Sequence, residues 1–223
     1  MEFIEYPDVE ALMINLANRI AGELRQALTQ NDRVTLAVPG GTTPGPVFDN
    51  LSSTRLDWDR VDVLLTDERW VPETSDRSNT ALLRRRLLVD RAAEATLLPL
   101  YADAEAPEDR LDELQANLSG HLPLTVCLLG MGADMHTASI FPGADQLDRA
   151  LTGDDILLAM RAPGAPEPRI TLSAKVLNGA MNRHILITGP EKRAALERAQ
   201  GLPPSEAPVA AILSGATVHW AEE

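Results

Sequence analysis

The sequence predicts an α/β protein with one doubly wound, mostly parallel sheet and helices on both faces, a Rossmann-like arrangement. Apolar runs of strand length alternate with helical patterns, and glycine or proline stands at the joins. Several of these runs are apolar throughout, which is typical of strands covered on both faces in a parallel sheet. The strand candidates are residues 34–38, 61–66, 125–129, 156–160, 169–172, 184–188 and 209–213.

Helical patterns fill the intervals between these strands. Asp8 is placed to cap the first helix, whose apolar residues recur every fourth position and form one stripe. That stripe comprises Leu12, Leu16, Ile20, Leu24 and Leu28. Later helices are indicated by Pro44, by Pro107 and by the segments 79–88 and 190–200. No internal repeat or linker-like change of composition divides the chain, so a single domain over residues 1–223 is predicted.

The excess of acidic over basic residues argues against some classes of binding partner. The chain has 223 residues, with 20 Lys and Arg against 33 Asp and Glu, and a formal net charge of −13. Because nucleic acids and anionic membranes are bound through basic side chains, neither is expected as a partner. The single cysteine, Cys127, is interpreted as a core residue in a reducing compartment rather than a catalytic thiol. The acidic first residues and the lack of a membrane-length apolar segment favour a soluble, cytoplasmic protein.

The strand at 34–38 leads into a glycine-rich loop, residues 39–44, with the sequence PGGTTP. Gly40 and Gly41 let the backbone approach a ligand closely, and Thr42 adds a hydroxyl group. Such a loop before a helix directs backbone N–H groups and the positive end of the helix dipole at an anion, usually a phosphate. A tight turn before a capped helix explains the same residues, and the pattern is neither GxGxxG nor a Walker loop.

Three charged residues, Asp67, Glu68 and Arg69, directly follow the strand at 61–66. An α/β fold places its ligands at the carboxyl ends of its strands, and the forked guanidinium group of arginine suits a phosphate or a carboxylate. Asp67 and Arg69 are therefore candidate substrate-binding residues. The alternative is a solvated loop with a local ion pair.

The most informative stretch follows the strand at 125–129 and reads GMGADMHTAS over residues 130–139. Its glycines permit an unusual backbone path, and Asp134 and His136 stand two residues apart. An imidazole can take a proton from water at neutral pH, and a nearby carboxylate can fix its tautomer. We predict that His136 is a general base supported by Asp134. A histidine that only caps the next helix is the alternative.

The remaining histidines, His121, His184 and His219, are expected to be structural or solvent-facing. The sequence has no HxxH, HExxH or CxxC spacing, so a site without metal or cofactor is predicted.

Two further basic residues are candidates for anion binding. Lys192 lies in the first turn of the helix after strand 184–188, where the helix dipole disfavours a cation, so an anion is expected beside it. An ordinary exposed lysine explains the position equally well. Arg169, at the start of another strand, is a further candidate, whereas the run 84–86 is interpreted as a solvated helix surface.

Together, these loops resemble those of the 6-phosphogluconolactonases, within the wider family that includes glucosamine-6-phosphate deaminases. The matching segments are PGGTTP (39–44), DERWVP (67–72) with Ser78 and Asn79, LGMGADMHTASIFPG (129–143), RITLS (169–173), residues 189–192, and a closing segment with Pro208 and Trp220. The likeness covers essentially the whole chain. Met135 departs from the family pattern, which usually has glycine there, while Thr42 and Ser173 replace a serine and a threonine and keep the hydroxyl group.

The resemblance implies hydrolysis of 6-phospho-D-glucono-1,5-lactone to 6-phosphogluconate in the oxidative pentose phosphate pathway, without a cofactor. It implies that His136 activates the water and that Asp134 supports His136. The implied substrate-binding residues are Gly40, Gly41, Thr42, Asp67, Arg69, Arg169 and Lys192. The expected partner is a small sugar-phosphate lactone, bound by a monomer or a homodimer.

Two other functions remain open from the sequence. One is deamination and isomerisation of an amino-sugar phosphate, but the deaminases carry a glutamate five residues after the histidine, where this chain has Phe141. The other is a non-enzymatic sugar-phosphate-binding protein, which is expected to have lost the base.

Overall fold

The computed structural model describes residues 1–222 and contains a seven-stranded sheet and a three-stranded sheet. The strands are β1 (Glu2–Glu5), β2 (Val34–Val38), β3 (Val61–Leu65), β4 (Asp67–Arg69), β5 (Thr96–Leu97), β6 (Val126–Gly130), β7 (Leu157–Met160), β8 (Arg169–Leu172), β9 (Asn182–Thr188) and β10 (Thr217–Ala221). The larger sheet has the order β1-β10-β9-β6-β2-β3-β5, and each of these pairings is parallel. The predicted parallel α/β sheet is confirmed.

The helices connect these strands. They are α1 (Val9–Leu28), α2 (Gly45–Ser52), α3 (Asn79–Arg86), α4 (Leu111–Ser119), α5 (Leu147–Thr152), α6 (Ala174–Asn178) and α7 (Gly189–Ala199). As predicted, the Asp8 carboxylate accepts a hydrogen bond from the backbone N–H of Ala11 at 2.7 Å, which caps α1. The predicted apolar stripe of α1 is buried, and α1 packs against α2, β2 and β10.

The predicted strand at 209–213 is wrong. Residues Pro208–Ile212 form a buried 3-10 turn, and the closing strand is β10. A short apolar run indicates burial, but it does not distinguish a strand from a compact helical turn.

Two predicted strands exist but lie outside the parallel sheet. β7 and β8 pair antiparallel with each other, and β8 pairs antiparallel with β4. Only residues 161–168 separate β7 from β8, and a connection this short cannot make the crossover that parallel neighbours need. β4 itself falls in a segment for which a loop was an open alternative. The small sheet thus stands beside the carboxyl end of β3, since Leu172 N–H donates to the Thr66 carbonyl.

Several polar residues are buried within the fold. Cys127 is fully buried, and burial raises the pKa of its thiol to about 12, so the thiol stays protonated at neutral pH. His184 and His219 are almost fully buried and hydrogen-bonded to each other. His121 contacts Asp62, with 3.0 Å between Nδ1 and Oδ2. In the part of the chain that the structure describes, no helix has both the length and the apolar character needed to cross a bilayer.

Candidate active site

A cavity of about 280 Å³ opens at the carboxyl ends of β2, β6 and β9, with β4 and β8 of the small sheet forming one wall. Most of the predicted site residues line it, namely Gly40, Gly41, Asp67, Arg69, His136, Arg169 and Lys192. Two predicted residues do not line the cavity. Thr42 is exposed, and its neighbour Thr43 lines the cavity instead. Asp134 contacts His136 without lining the cavity itself. The sequence motifs therefore converge on one cavity.

Asp134 and His136 are in direct contact. Oδ1 of Asp134 lies 2.5 Å from Nδ1 of His136, and the same oxygen accepts a hydrogen bond from the His136 backbone N–H at 3.2 Å. The hydrogen bond from His136 lowers the pKa of Asp134, so the carboxylate is ionised at neutral pH. With Nδ1 bound to the carboxylate, Nε2 is the imidazole nitrogen left to exchange protons in the cavity.

The loop that carries this pair is tightly wound. Gly132 N–H donates to the His136 carbonyl, which closes the turn, and a Cβ at Gly132 would lie 2.1 Å from Nδ1 of His136. Met135 has φ of 66° and Ala138 has φ of 48°, the left-handed region that favours glycine. Met135 therefore follows the backbone path that suits the family's usual glycine, and Val209 N–H holds it by donating to the Met135 carbonyl.

The cavity wall contributed by the small sheet places two arginines together. Arg69 and Arg169 are directly opposite each other in the β4–β8 pairing, and Asp67 is opposite Thr171. Among residues 1–222, the Nε atoms of Arg69 and Arg169 are buried without a hydrogen-bond partner. Like charges directly opposite on a sheet repel, and an anion between or beside the two guanidinium groups would offset this repulsion.

Phe141 lies between His136 and the Arg169 side of this wall. Its ring centroid lies 4.3 Å from that of the His136 imidazole, and the guanidinium carbon of Arg169 lies 5.7 Å from the Phe141 ring centroid. The aromatic ring thus packs between the proposed base and one of the two facing arginines.

Glu68 is a residue whose part in the site was not predicted. Its side chain is fully buried and accepts hydrogen bonds from the backbone N–H groups of Arg69, Asn79 and Thr80, and from the hydroxyl groups of Ser78 and Thr80. Burial raises the pKa of Glu68, and these donors act in the opposite direction. Glu68 ties the start of α3 to β4. The side-chain alternation of a strand was the signal: it turns Glu68 away from the face that presents Asp67 and Arg69.

Asn79 and Ser139 link the loops around the cavity. Asn79 Nδ2 donates to the Asp67 carbonyl at 3.2 Å, and a Cβ at Gly40 would lie 2.2 Å from the Asn79 side chain, so Gly40 permits this close packing. Ser139 Oγ donates to Oδ2 of Asp67 at 2.6 Å, which connects the loop of His136 to β4.

Two helix N-termini contribute to the lining of the cavity. The loop before α2 lines it with Gly40 and Gly41, and the first turn of α7 lines it with Lys192. Within residues 1–222, the backbone N–H groups of Gly41, Thr42 and Thr43 donate no hydrogen bond. Together with Arg69 and Arg169, these groups make a local positive site on a chain of net charge −13.

A metal site would need several His, Cys, Asp or Glu side chains close together. Across residues 1–222, His, Cys, Asp and Glu side chains do not gather in a group of three or more that could hold a metal ion.

The sequence matches one family of known proteins over nearly its whole length. Residues 7–220 match the family described as glucosamine-6-phosphate isomerases/6-phosphogluconolactonase. The chain is 41% identical over 223 residues to a 6-phosphogluconolactonase of Mesorhizobium japonicum, which covers 97% of this chain and 93% of the relative. It is 40% identical over 215 residues to a 6-phosphogluconolactonase of Pseudomonas aeruginosa, covering 92% of this chain and 88% of the relative.

A solved structure shows the same similarity. The crystal structure of a 6-phosphogluconolactonase from Shewanella baltica superposes with a TM-score of 0.96 at 32% identity, covering 99% of this chain and 97% of that chain. The family match over nearly the whole chain and the agreement in fold lead to one conclusion: the protein belongs to the glucosamine-6-phosphate isomerase/6-phosphogluconolactonase family.

Proposed function

We propose that the protein hydrolyses 6-phospho-D-glucono-1,5-lactone to 6-phosphogluconate, as a 6-phosphogluconolactonase of the oxidative pentose phosphate pathway. The observation that carries this proposal is the Asp134–His136 pair, which opens on a cavity lined by Arg69, Arg169 and Lys192. A base and an anion-binding wall in one cavity suit a substrate that has an ester carbonyl at one end and a phosphate at the other.

In the proposed mechanism, Nε2 of His136 takes a proton from a water molecule as its oxygen attacks the lactone carbonyl carbon. Asp134 holds the imidazole in the tautomer with hydrogen on Nδ1 and stabilises the imidazolium that forms. The tetrahedral intermediate then collapses with cleavage of the bond to the ring oxygen, which receives the proton from His136. The free acid that results ionises to the carboxylate. Backbone N–H groups near the cavity supply donors for the developing oxyanion.

The phosphate end is assigned to the positive wall. Arg69, Arg169 and Lys192 supply charge, and the loop of Gly40, Gly41 and Thr42 supplies backbone N–H groups that have no acceptor among residues 1–222. Asp67, held by Ser139, is assigned to a substrate hydroxyl group. Binding the remote phosphate orients the carbonyl over His136, because this contact restricts the substrate before the reaction begins.

The packing of Phe141 favours the lactonase over the deaminase. Its ring lies against His136, at the sequence position where the deaminases carry a glutamate, so this chain has an apolar side chain in place of a proton-transferring carboxylate. A non-enzymatic binding protein is disfavoured because Asp134 and His136 are both present and in contact.

A direct assay tests the proposal. The wild-type protein should accelerate hydrolysis of the lactone above the spontaneous rate and should not deaminate glucosamine 6-phosphate. His136→Ala should lose roughly a hundredfold or more in kcat and still bind 6-phosphogluconate. Lys192→Ala should chiefly raise KM. A wild-type rate equal to the spontaneous rate would refute the function, and full activity in His136→Ala would refute the base.

The proposal also covers the domain organisation, the cellular location and the oligomeric state. We infer that residues 1–223 act as a single domain, that the enzyme works in the cytoplasm, and that it is a monomer or a homodimer. The continuous hydrophobic core supports the single domain. Size-exclusion chromatography with light scattering tests the oligomeric state.

A further inference from the structure

The facing pair Arg69 and Arg169 needs a neighbouring anion, and a carboxylate of the protein itself is close by. Glu167 lies two residues before Arg169, and its side chain is only 15% exposed. Its negative charge acts on the Arg169 guanidinium. A carboxylate in this position is a competitor for any anionic ligand, because it can satisfy the same guanidinium donors.

Glu167 forms its ion pair with Arg77, and no hydrogen bond or ion pair joins it to Arg169. Nη2 of Arg77 donates to Oε2 of Glu167 at 3.0 Å, and Nε of Arg77 donates to the other oxygen, Oε1. Both carboxylate oxygens are therefore engaged in a two-pronged ion pair. The other carboxylate that acts on Arg169, that of Asp67, is bound by the Ser139 hydroxyl group.

Arg77 also contacts the other arginine of the facing pair. Its carbonyl oxygen accepts a hydrogen bond from Nη1 of Arg69 at 2.7 Å, and its backbone N–H donates to Oγ of Ser75. Arg77 thus orients Arg69 through its backbone and binds Glu167 through its side chain. It does so from the loop between β4 and α3, and neither Arg77 nor Glu167 lines the cavity.

We propose that Arg77 and Glu167 are a positioning pair for anion binding: Arg77 holds the Glu167 carboxylate away from Arg169, which leaves Arg69 and Arg169 open to the ligand. The identity of that ligand as the substrate phosphate rests on the proposed function; the pairing argument itself requires only an anion. Because half of the Arg77 side chain is exposed, the ion pair is screened by solvent and adds little to folding stability, so its effect appears in ligand affinity.

Three variants separate this role from a purely structural one. They are Arg77→Gln, Glu167→Gln and the double variant, each titrated with inorganic phosphate at low ionic strength by calorimetry and each assayed for lactone hydrolysis. We expect Arg77→Gln to weaken phosphate binding and to raise KM by about five- to tenfold, with kcat nearly unchanged, because the freed carboxylate then competes for Arg169. Glu167→Gln should bind phosphate at least as tightly as wild type.

The double variant decides between the two explanations. If Arg77 acts by restraining Glu167, removing both charges restores the phosphate affinity to within about twofold of wild type. If the ion pair only braces the loops, both single variants weaken binding and the double variant is no better. Wild-type affinity in Arg77→Gln, an unrescued double variant, or a wild-type protein that binds no phosphate would each overturn the proposal.

Arg149→Gln is the matched control. Arg149 makes a similar two-pronged ion pair with Asp155, at 2.7 and 2.8 Å, and does not line the cavity, so its loss should leave phosphate affinity unchanged. Since phosphate titration does not depend on turnover, a wild-type protein that lacks lactonase activity would refute the proposed function and still permit this test.

Discussion

Asp134 and His136 form their contact within a single turn of the chain, with the carboxylate oxygen 2.5 Å from Nδ1 of the imidazole. Both atoms belong to the loop after β6, so the geometry of the pair depends on the local backbone more than on distant packing. Substitutions in this loop should therefore alter the pair directly.

Replacing the Asp134 carboxylate with an amide should slow the reaction without abolishing binding. In Asp134→Asn the side chain loses the charge that stabilises the imidazolium, so we expect kcat to fall roughly ten- to a hundredfold while KM changes little. Steady-state kinetics on the lactone, corrected for the spontaneous reaction, measures this. Asp154→Asn, at an exposed surface ion pair, should be silent. Unchanged kcat in Asp134→Asn would contradict the role of the carboxylate.

Adding one methyl group at Gly132 should disrupt the pair. In Gly132→Ala the new Cβ would lie 2.1 Å from Nδ1 of His136 and 2.3 Å from Oδ1 of Asp134, so one of these groups must move. We expect kcat to fall by about tenfold or more, with near-native circular dichroism. Gly120→Ala is the control, because, its own chain neighbours aside, no atom of residues 1–222 lies within 4 Å of the added Cβ. Equal activity of the two variants would show that the loop adjusts freely.

Met135→Gly should leave the rate almost unchanged. Met135 already has φ of 66°, and the contact from Val209 holds this path, so glycine would enter the same conformation. Relief of left-handed strain and the greater freedom of glycine in the unfolded chain oppose each other, so we expect unfolding free energy within about 1 kcal/mol of wild type. Kinetics and urea unfolding test this together. A large gain in kcat would show that Met135 obstructs the substrate.

The buried histidines should make the fold sensitive to acid. Nε2 of His184 contacts Glu23 at 2.7 Å, its Nδ1 contacts Nε2 of His219 at 3.1 Å, and Nδ1 of His219 contacts the Tyr6 hydroxyl group at 2.9 Å. Arg19 faces the same cluster through its ion pair with Glu23. Burial, with the neighbouring His184 and Arg19, lowers the pKa of His219 from 6.5 to about 3.

The direction of the pH effect follows from that shift. Above pH 6.5 both the folded and the unfolded His219 are neutral, and the group does not affect stability. Between pH 6.5 and about 3 only the unfolded state takes up the proton, so the unfolding free energy falls as pH falls, by at most about 1.4 kcal/mol per pH unit. Urea unfolding of wild type and His219→Gln between pH 7 and 4 measures it. Parallel curves for the two proteins would contradict the assignment.

The local motifs were sufficient to predict which loops meet, because parallel strands place their carboxyl ends at one edge. The direct Asp134–His136 contact does not follow from the sequence alone, since two residues separated by one position in a loop can point in different directions. The facing of Arg69 and Arg169 was not predicted, because it depends on the antiparallel register of β4 and β8, two segments far apart in sequence. The hydrogen bonds of Glu68 were not predicted for the same reason, since their donors come from the start of α3. Nor was it predicted that Thr43 lines the cavity and Thr42 does not.

Phe141 helps to fix the orientation of the His136 imidazole ring. One face of the imidazole is covered by the phenyl ring, and Nδ1 is bound to Asp134. A half-turn of the imidazole about its Cβ–Cγ bond would exchange Nδ1 with Cδ2 and Nε2 with Cε1, which would break the carboxylate contact and put a carbon where Nε2 stands. The Asp134 contact therefore opposes flipping of the ring, and Nε2 stays the nitrogen that faces the cavity.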